Sequence, residues 1–130
     1  MNPLVAEWVE KAEGDRASAL REVRARKNPN YDAACFHAQQ CIEKYLKAVL
    51  QAENRSAPKT HDLSRLLDVC LDKYPLWAGL RPDLEALTEY AVAYRYPGSS
   101  ADREIAKQVV KKMTRICAEL RRALGLEIAE

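Results

Sequence analysis

Apolar residues recur every three to four positions along most of the chain, and the repeat is densest from Tyr31 to Leu50, YDAACFHAQQCIEKYLKAVL. On a helical wheel centred on Ala38, the residues Tyr31, Ala34, Cys35, Cys41, Ile42, Tyr45, Leu46 and Val49 fall on one side, as a buried helix face requires. Small residues fill the first half of that face and larger ones the second, so a neighbouring helix should approach most closely near its start. Phe36 and Leu50 point the other way, among Gln39, Gln40, Glu43 and Lys47, where a one-sided surface helix would carry polar groups. The segment is therefore expected to touch something on both sides, either as the centre of a bundle or with its outer strip as a dimer contact.

The flanking segments read as its packing partners. Asn2 and Pro3 predict a helix start, with Asn2 as cap and Pro3 at the first helical position, and the helix should run to about Lys27. Its inner stripe is Leu4, Val5, Trp8, Ala12, Ala19, Leu20 and Val23, with Gly14 a weak point and Asp15 near the stripe's edge. Asn28-Pro29-Asn30 breaks it, and so short a turn implies an antiparallel hairpin. After a polar loop from Glu53 to Lys59, Thr60 or Asp62 caps a third helix whose face is Leu63, Leu66, Leu67, Cys70, Leu71 and Tyr74. Pro75 ends it, and a connection carrying Trp77 leads to a helix from Pro82, with Leu84, Leu87, Ala91 and Tyr94 inward, stopped by Pro97-Gly98. Ser99 with Asp102 fits a capping box for the last helix, whose stripe is Ile105, Val109, Met113, Ile116, Leu120 and Leu124.

Composition agrees with an all-helical domain: four glycines, six prolines and no competing strand pattern in 130 residues, a length that suits one domain. The net charge of +2 selects no partner class, because a balanced total can hide a local patch. The basic patch to consider is the outside of the last helix, where Lys107, Lys111 and Arg115 stand among further cations; a second basic cluster, Arg21 to Lys27, complements the first helix's dipole and could also hold phosphate. The four cysteines have no CxxC spacing and read as reduced, buried side chains. The acidic residues near the start do not fit a signal peptide, and no segment reaches membrane-spanning length, so a cytoplasmic protein with no membrane partner is expected.

Candidate chemistry is sparse. His37 with Cys41 one turn on could begin a zinc site, but no further ligand cluster follows; the expectation is no metal and no cofactor, with His37 hydrogen-bonded to a neighbouring helix. His61 reads as a local capping and packing residue. In Tyr94-Arg95-Tyr96-Pro97 an arginine sits between two aromatics where a helix breaks, an arrangement that can hold phosphate and stack on a base. No phosphate-cradling glycine loop and no nucleophile elbow is present.

Taken together, FHAQQCIEKYLKAVL, KTHDLSRLL after a proline loop, AYRYPG at a helix end and a long basic final helix resemble the HEPN domain over about residues 4 to 124. The resemblance implies an all-α, up-and-down bundle of four to five helices, related to the C-terminal domain of kanamycin nucleotidyltransferase and usually paired as a homodimer. It also implies nucleotide or RNA binding, and a separately encoded minimal nucleotidyltransferase as partner in a toxin–antitoxin-type module. Many HEPN proteins are metal-independent ribonucleases with an arginine, four to six intervening residues and a histidine. Here Arg95 resembles the arginine, but Ser100, Ala101 and Asp102 stand where the histidine should follow. Arg55 and His61 match the spacing only formally, across the loop before the third helix.

The leading expectation is thus a binding protein without inherent activity, in which Arg95 contacts phosphate, Tyr94 or Tyr96 stacks on a base, and His37, Gln40 and Lys44 line a groove beside the central helix. Tyr96 is also a candidate to accept a nucleotide. Two alternatives stay open: a ribonuclease in which Arg95 works with His37 or His61 from another helix or across a dimer, and a purely structural dimerisation module.

Overall fold

The structure, a computed structural model, describes residues 1–127. Five α-helices are present among them: α1 (Pro3–Arg24), α2 (Tyr31–Ala52), α3 (Leu63–Cys70), α4 (Arg81–Ala93) and α5 (Arg103–Ala123), with a 3-10 turn at Pro75–Leu80 between α3 and α4. No strand occurs among the described residues.

Local chemistry sets the helix ends. The Asn2 side chain accepts the Leu4 N–H, with Pro3 in the first turn, and the Asn30 side chain accepts the Ala33 N–H at the start of α2. α1 stops at Arg24, short of Lys27, because Ala25 is already extended and Asn28 turns left-handed (φ 49) ahead of Pro29. Asp62, not Thr60, caps α3 by accepting the Ser64 N–H; the Thr60 hydroxyl accepts the Asp62 N–H instead. α5 starts later than a Ser99 cap would allow, since Asp102 itself accepts the Ile105 N–H. The 3-10 turn buries Trp77, which stacks on Tyr74 with ring centroids 4.1 Å apart.

α2 is the hub. It packs against each of the other four α-helices, and Ile42, Tyr45, Leu46, Val49, Leu66, Leu84, Met113 and Ile116 belong to one buried core. Leu50, on α2's opposite side by the wheel, is fully buried, so the two-sided pattern reflects a helix at the centre of the bundle. Phe36 remains 38% exposed. Leu4, assigned to the inner stripe of α1, faces outward instead, because the face centres on Val5, Ala12 and Ala19. α1 passes through Gly14 without a break.

Polar side chains tie helices together across the core. The Tyr45 hydroxyl donates to Glu13 on α1 (2.8 Å) and accepts from Arg121 on α5 (2.7 Å), and Arg121 lies 3.4 Å from Glu13. Burial pushes the Tyr45 phenol above its ordinary range even beside that guanidinium. Asn2 and Val5 share a recess with Ala123 and Leu124, so α1 and α5 run antiparallel. All four cysteines are buried free thiols. Burial raises Cys70 to about 12 and, with Asp32 adding to it, Cys35 to about 11, which suits packing residues rather than nucleophiles.

Candidate functional site

A groove of about 520 Å³ opens between the first half of α2, the start of α3 and the end of α4. Phe36, Gln39 and Gln40 form one wall, His61 and Asp62 the second, and Thr88, Val92 and Arg95 the third. Its rim is partly apolar, through Phe36 and the 53% exposed Val92. The α3 wall is held to α4 by Thr88, whose hydroxyl accepts the Leu63 N–H.

Beneath the groove lies a polar network on one strip of α2. Gln39 and Glu43 are 3% and 4% exposed, so their polar atoms need partners. Gln40 donates to Gln39 (3.0 Å), and Gln39 donates to the His61 carbonyl (2.8 Å) and to Glu43 Oε1 (3.2 Å). His61 Nδ1 lies 2.9 Å from Glu43 Oε1, and Lys47 donates to Glu43 Oε2 at 3.0 Å while lying over the Trp8 ring. Burial alone would raise the Glu43 carboxyl, but hydrogen bonds from His61, Lys47 and Gln39 outweigh it and hold the group below its ordinary value. Glu43 is thus an anion at pH 7 that orients the imidazole by accepting from Nδ1–H and turns Nε2 outward on a side chain 81% exposed, where the neutral ring would present an acceptor.

The structure divides the predicted site residues between two flanks of α2. Arg95, exposed at the end of α4, and Gln40 share the groove. His37 and Lys44 do not: both turn to Asp15 on α1, a buried carboxylate 2.8 Å from His37 Nδ1 that also accepts from Lys44. Their i, i+7 spacing put them on one side of α2, but a carboxylate inside the α1 stripe draws them away from Arg95. Cys41 faces Cys117 on α5 (Sγ to Sγ 3.5 Å), so His37 and Cys41 converge on no common point. Tyr94 is half-buried and stacks on Tyr90, whereas Tyr96 is 65% exposed beside Arg95. Arg55 pairs with Asp72 (2.7 Å), away from the groove, so its formal match to His61 joins no site.

His61 is the residue that sequence reasoning underrated. The signal was available: Glu43 falls on the outer strip of α2, where a carboxylate buried among Phe36, Gln39 and Gln40 would require a cationic or hydrogen-bonding partner.

On the outside of α5, Lys107 and Lys111 are exposed and form no ion pair among the described residues, whereas Arg115 and Lys112 both reach Asp83 on α4 (3.3 Å each). No helix among the described residues is long and apolar enough to cross a membrane.

No curated protein and no solved structure matches the chain. A family model does: that of the HEPN domain, over residues 5–123. With its helices in place around α2, the chain belongs to the HEPN family, and at that level it is a nucleotide- or RNA-related helical protein.

Proposed function

We propose that this HEPN protein binds a nucleotide or RNA in the groove between α2, α3 and α4, with Arg95 as the phosphate contact. It acts as a homodimer with a separately encoded minimal nucleotidyltransferase, in a toxin–antitoxin-type module. The observation that carries the binding reading is the placement of Arg95: a guanidinium without an ion-pair partner among the described residues, in a groove with the Gln40 amide and the His61 imidazole. A guanidinium in that setting offers paired N–H donors to phosphate oxygens, and Tyr96 beside it offers a face for a base. Arg95→Ala is expected to weaken binding of a short single-stranded RNA by roughly 10- to 100-fold, the equivalent of one charge-assisted hydrogen-bonding group. Unchanged affinity in a fluorescence-anisotropy titration removes Arg95 from the site.

A second reading, a metal-independent ribonuclease, draws on the His61–Glu43 pair. Nε2 of His61 would take the proton of a ribose 2′-hydroxyl, whose oxygen attacks the adjacent phosphorus to close a 2′,3′-cyclic phosphate, while the 5′-oxygen leaves as a hydroxyl with a proton from water and Arg95 balances charge on the phosphate. The same preparations, incubated with RNA in chelator, separate the readings. Binding without cleavage supports the first; cleavage lost in both Arg95→Ala and His61→Ala, but kept in His37→Ala, supports the second.

A further inference from the structure

The groove leaves a larger charged surface unused. The arginine-rich end of α1 and the lysine-bearing start of α5 both flank the start of α2, where Glu22 near the end of α1 accepts the Asn30 N–H. Asp32 confirms the alignment of this end: at the start of α2, just after the α1–α2 turn, it accepts the Ala101 N–H at 2.7 Å, just ahead of α5. Arg103 stands about five helical turns before Arg121, the residue that reaches Glu13 on α1, so it shares the α1-facing flank of α5, and Lys107 lies one turn along.

Arg21, Arg24 and Lys27 on one side, and Arg103, Lys107 and Lys111 on the other, are exposed and form no ion pair among the described residues. Arg21 and Arg24 also line a shallow recess of about 610 Å³ with Arg16, Ala17, Leu20, Ala25 and Glu13, the last already held by Tyr45 and Arg121. The carboxylates at this end are occupied: Glu22 accepts the Asn30 N–H, Asp32 the Ala101 N–H, Asp102 the Ile105 N–H, and Glu104 holds Gln108. Several cations elsewhere are paired, as in Arg81–Asp68, Lys112–Asp83 and Arg122–Glu119. Six unpaired cations spread over two helices at one end of the bundle match an extended polyanion better than a single phosphate, and the N-terminal end of α5 adds the positive pole of its dipole.

We infer that the α1–α5 end of the bundle is a second, sequence-independent binding surface for the phosphodiester backbone of single-stranded RNA, separate from the groove that holds Arg95. RNA longer than a few nucleotides engages it through ionic contacts, so affinity falls steeply with salt.

The test measures the affinity of a 20-nucleotide oligouridylate across a salt series for the parent protein, for Arg21→Gln/Arg24→Gln/Lys107→Gln and for Arg95→Ala. Each lost phosphate contact flattens the log–log salt slope by about 0.7, so the triple variant should be shallower by about 2 and bind about a hundredfold more weakly near 0.1 M salt. Circular dichroism checks that the exposed substitutions leave the helices intact. A parental slope in the triple variant overturns the inference, as does displacement of the RNA by polyglutamate at equal charge concentration, which would identify an acidic-protein surface instead. Failure of the groove reading looks different: Arg95→Ala then binds as the parent does, while the triple variant still loses its slope.

Discussion

Tyr45→Ala is expected to lower the unfolding free energy by about 3–5 kcal/mol, the range for truncating a fully buried aromatic side chain. Two losses combine. The ring leaves a cavity at the most contacted helix of the bundle, and the missing hydroxyl removes the link between Glu13 on α1 and Arg121 on α5. Tyr45→Phe separates them: it keeps the ring and should cost only about 1.5–3 kcal/mol, the range for hydrogen bonds to charged groups. Urea unfolding of the three proteins measures both terms. Near-parental stability in Tyr45→Ala would mean that α2 does not join α1 to α5 as described.

The second large effect falls on Glu43, where stability and site meet. Glu43→Ala takes the acceptor from Lys47 and Gln39 and frees the His61 ring, at an expected cost of about 2–3 kcal/mol; Lys47 is near enough to the surface to recover some hydration, which keeps the loss below that of a sealed ion pair. The pH dependence has a definite sign. The folded carboxyl titrates below its ordinary value of 4.5, so its contribution is fully present above that value and is lost as pH falls through the lower folded value. The stability gap between the parent and Glu43→Gln should therefore be constant near neutrality and narrow below about pH 4.5. A gap that widens on acidification would reverse the assigned direction.

Much of this architecture was legible in the chain because the hydrophobic repeat and the caps agree. The stripe of α5 came through at Val109, Met113, Ile116 and Leu120, and the Asn2-Pro3 start matched its observed cap. Leu50 showed where periodicity stops: a wheel reports direction around one axis, and only the positions of the other helices decide whether that direction meets protein or solvent. The site was harder to read for the same reason. Arg95 and Gln40 come from helices separated by two loops, and His37 looked equivalent to Gln40 until Asp15 claimed it from α1. His61 reads as a turn residue in sequence, and its role depends on a hydrogen bond to a carboxylate eighteen residues away.

The groove is tested most directly by titrating the isotope-labelled protein with a mononucleotide and following the Gln39 and Gln40 side-chain amides, the His61 ring and Arg95 Nε by NMR. The account predicts saturable shifts confined to residues 36, 39–40, 61–62 and 88–96, abolished in Arg95→Ala, while the α1–α5 end stays unchanged. Shifts centred on His37, Asp15 and Lys44 instead, or none at all in the groove, would contradict it.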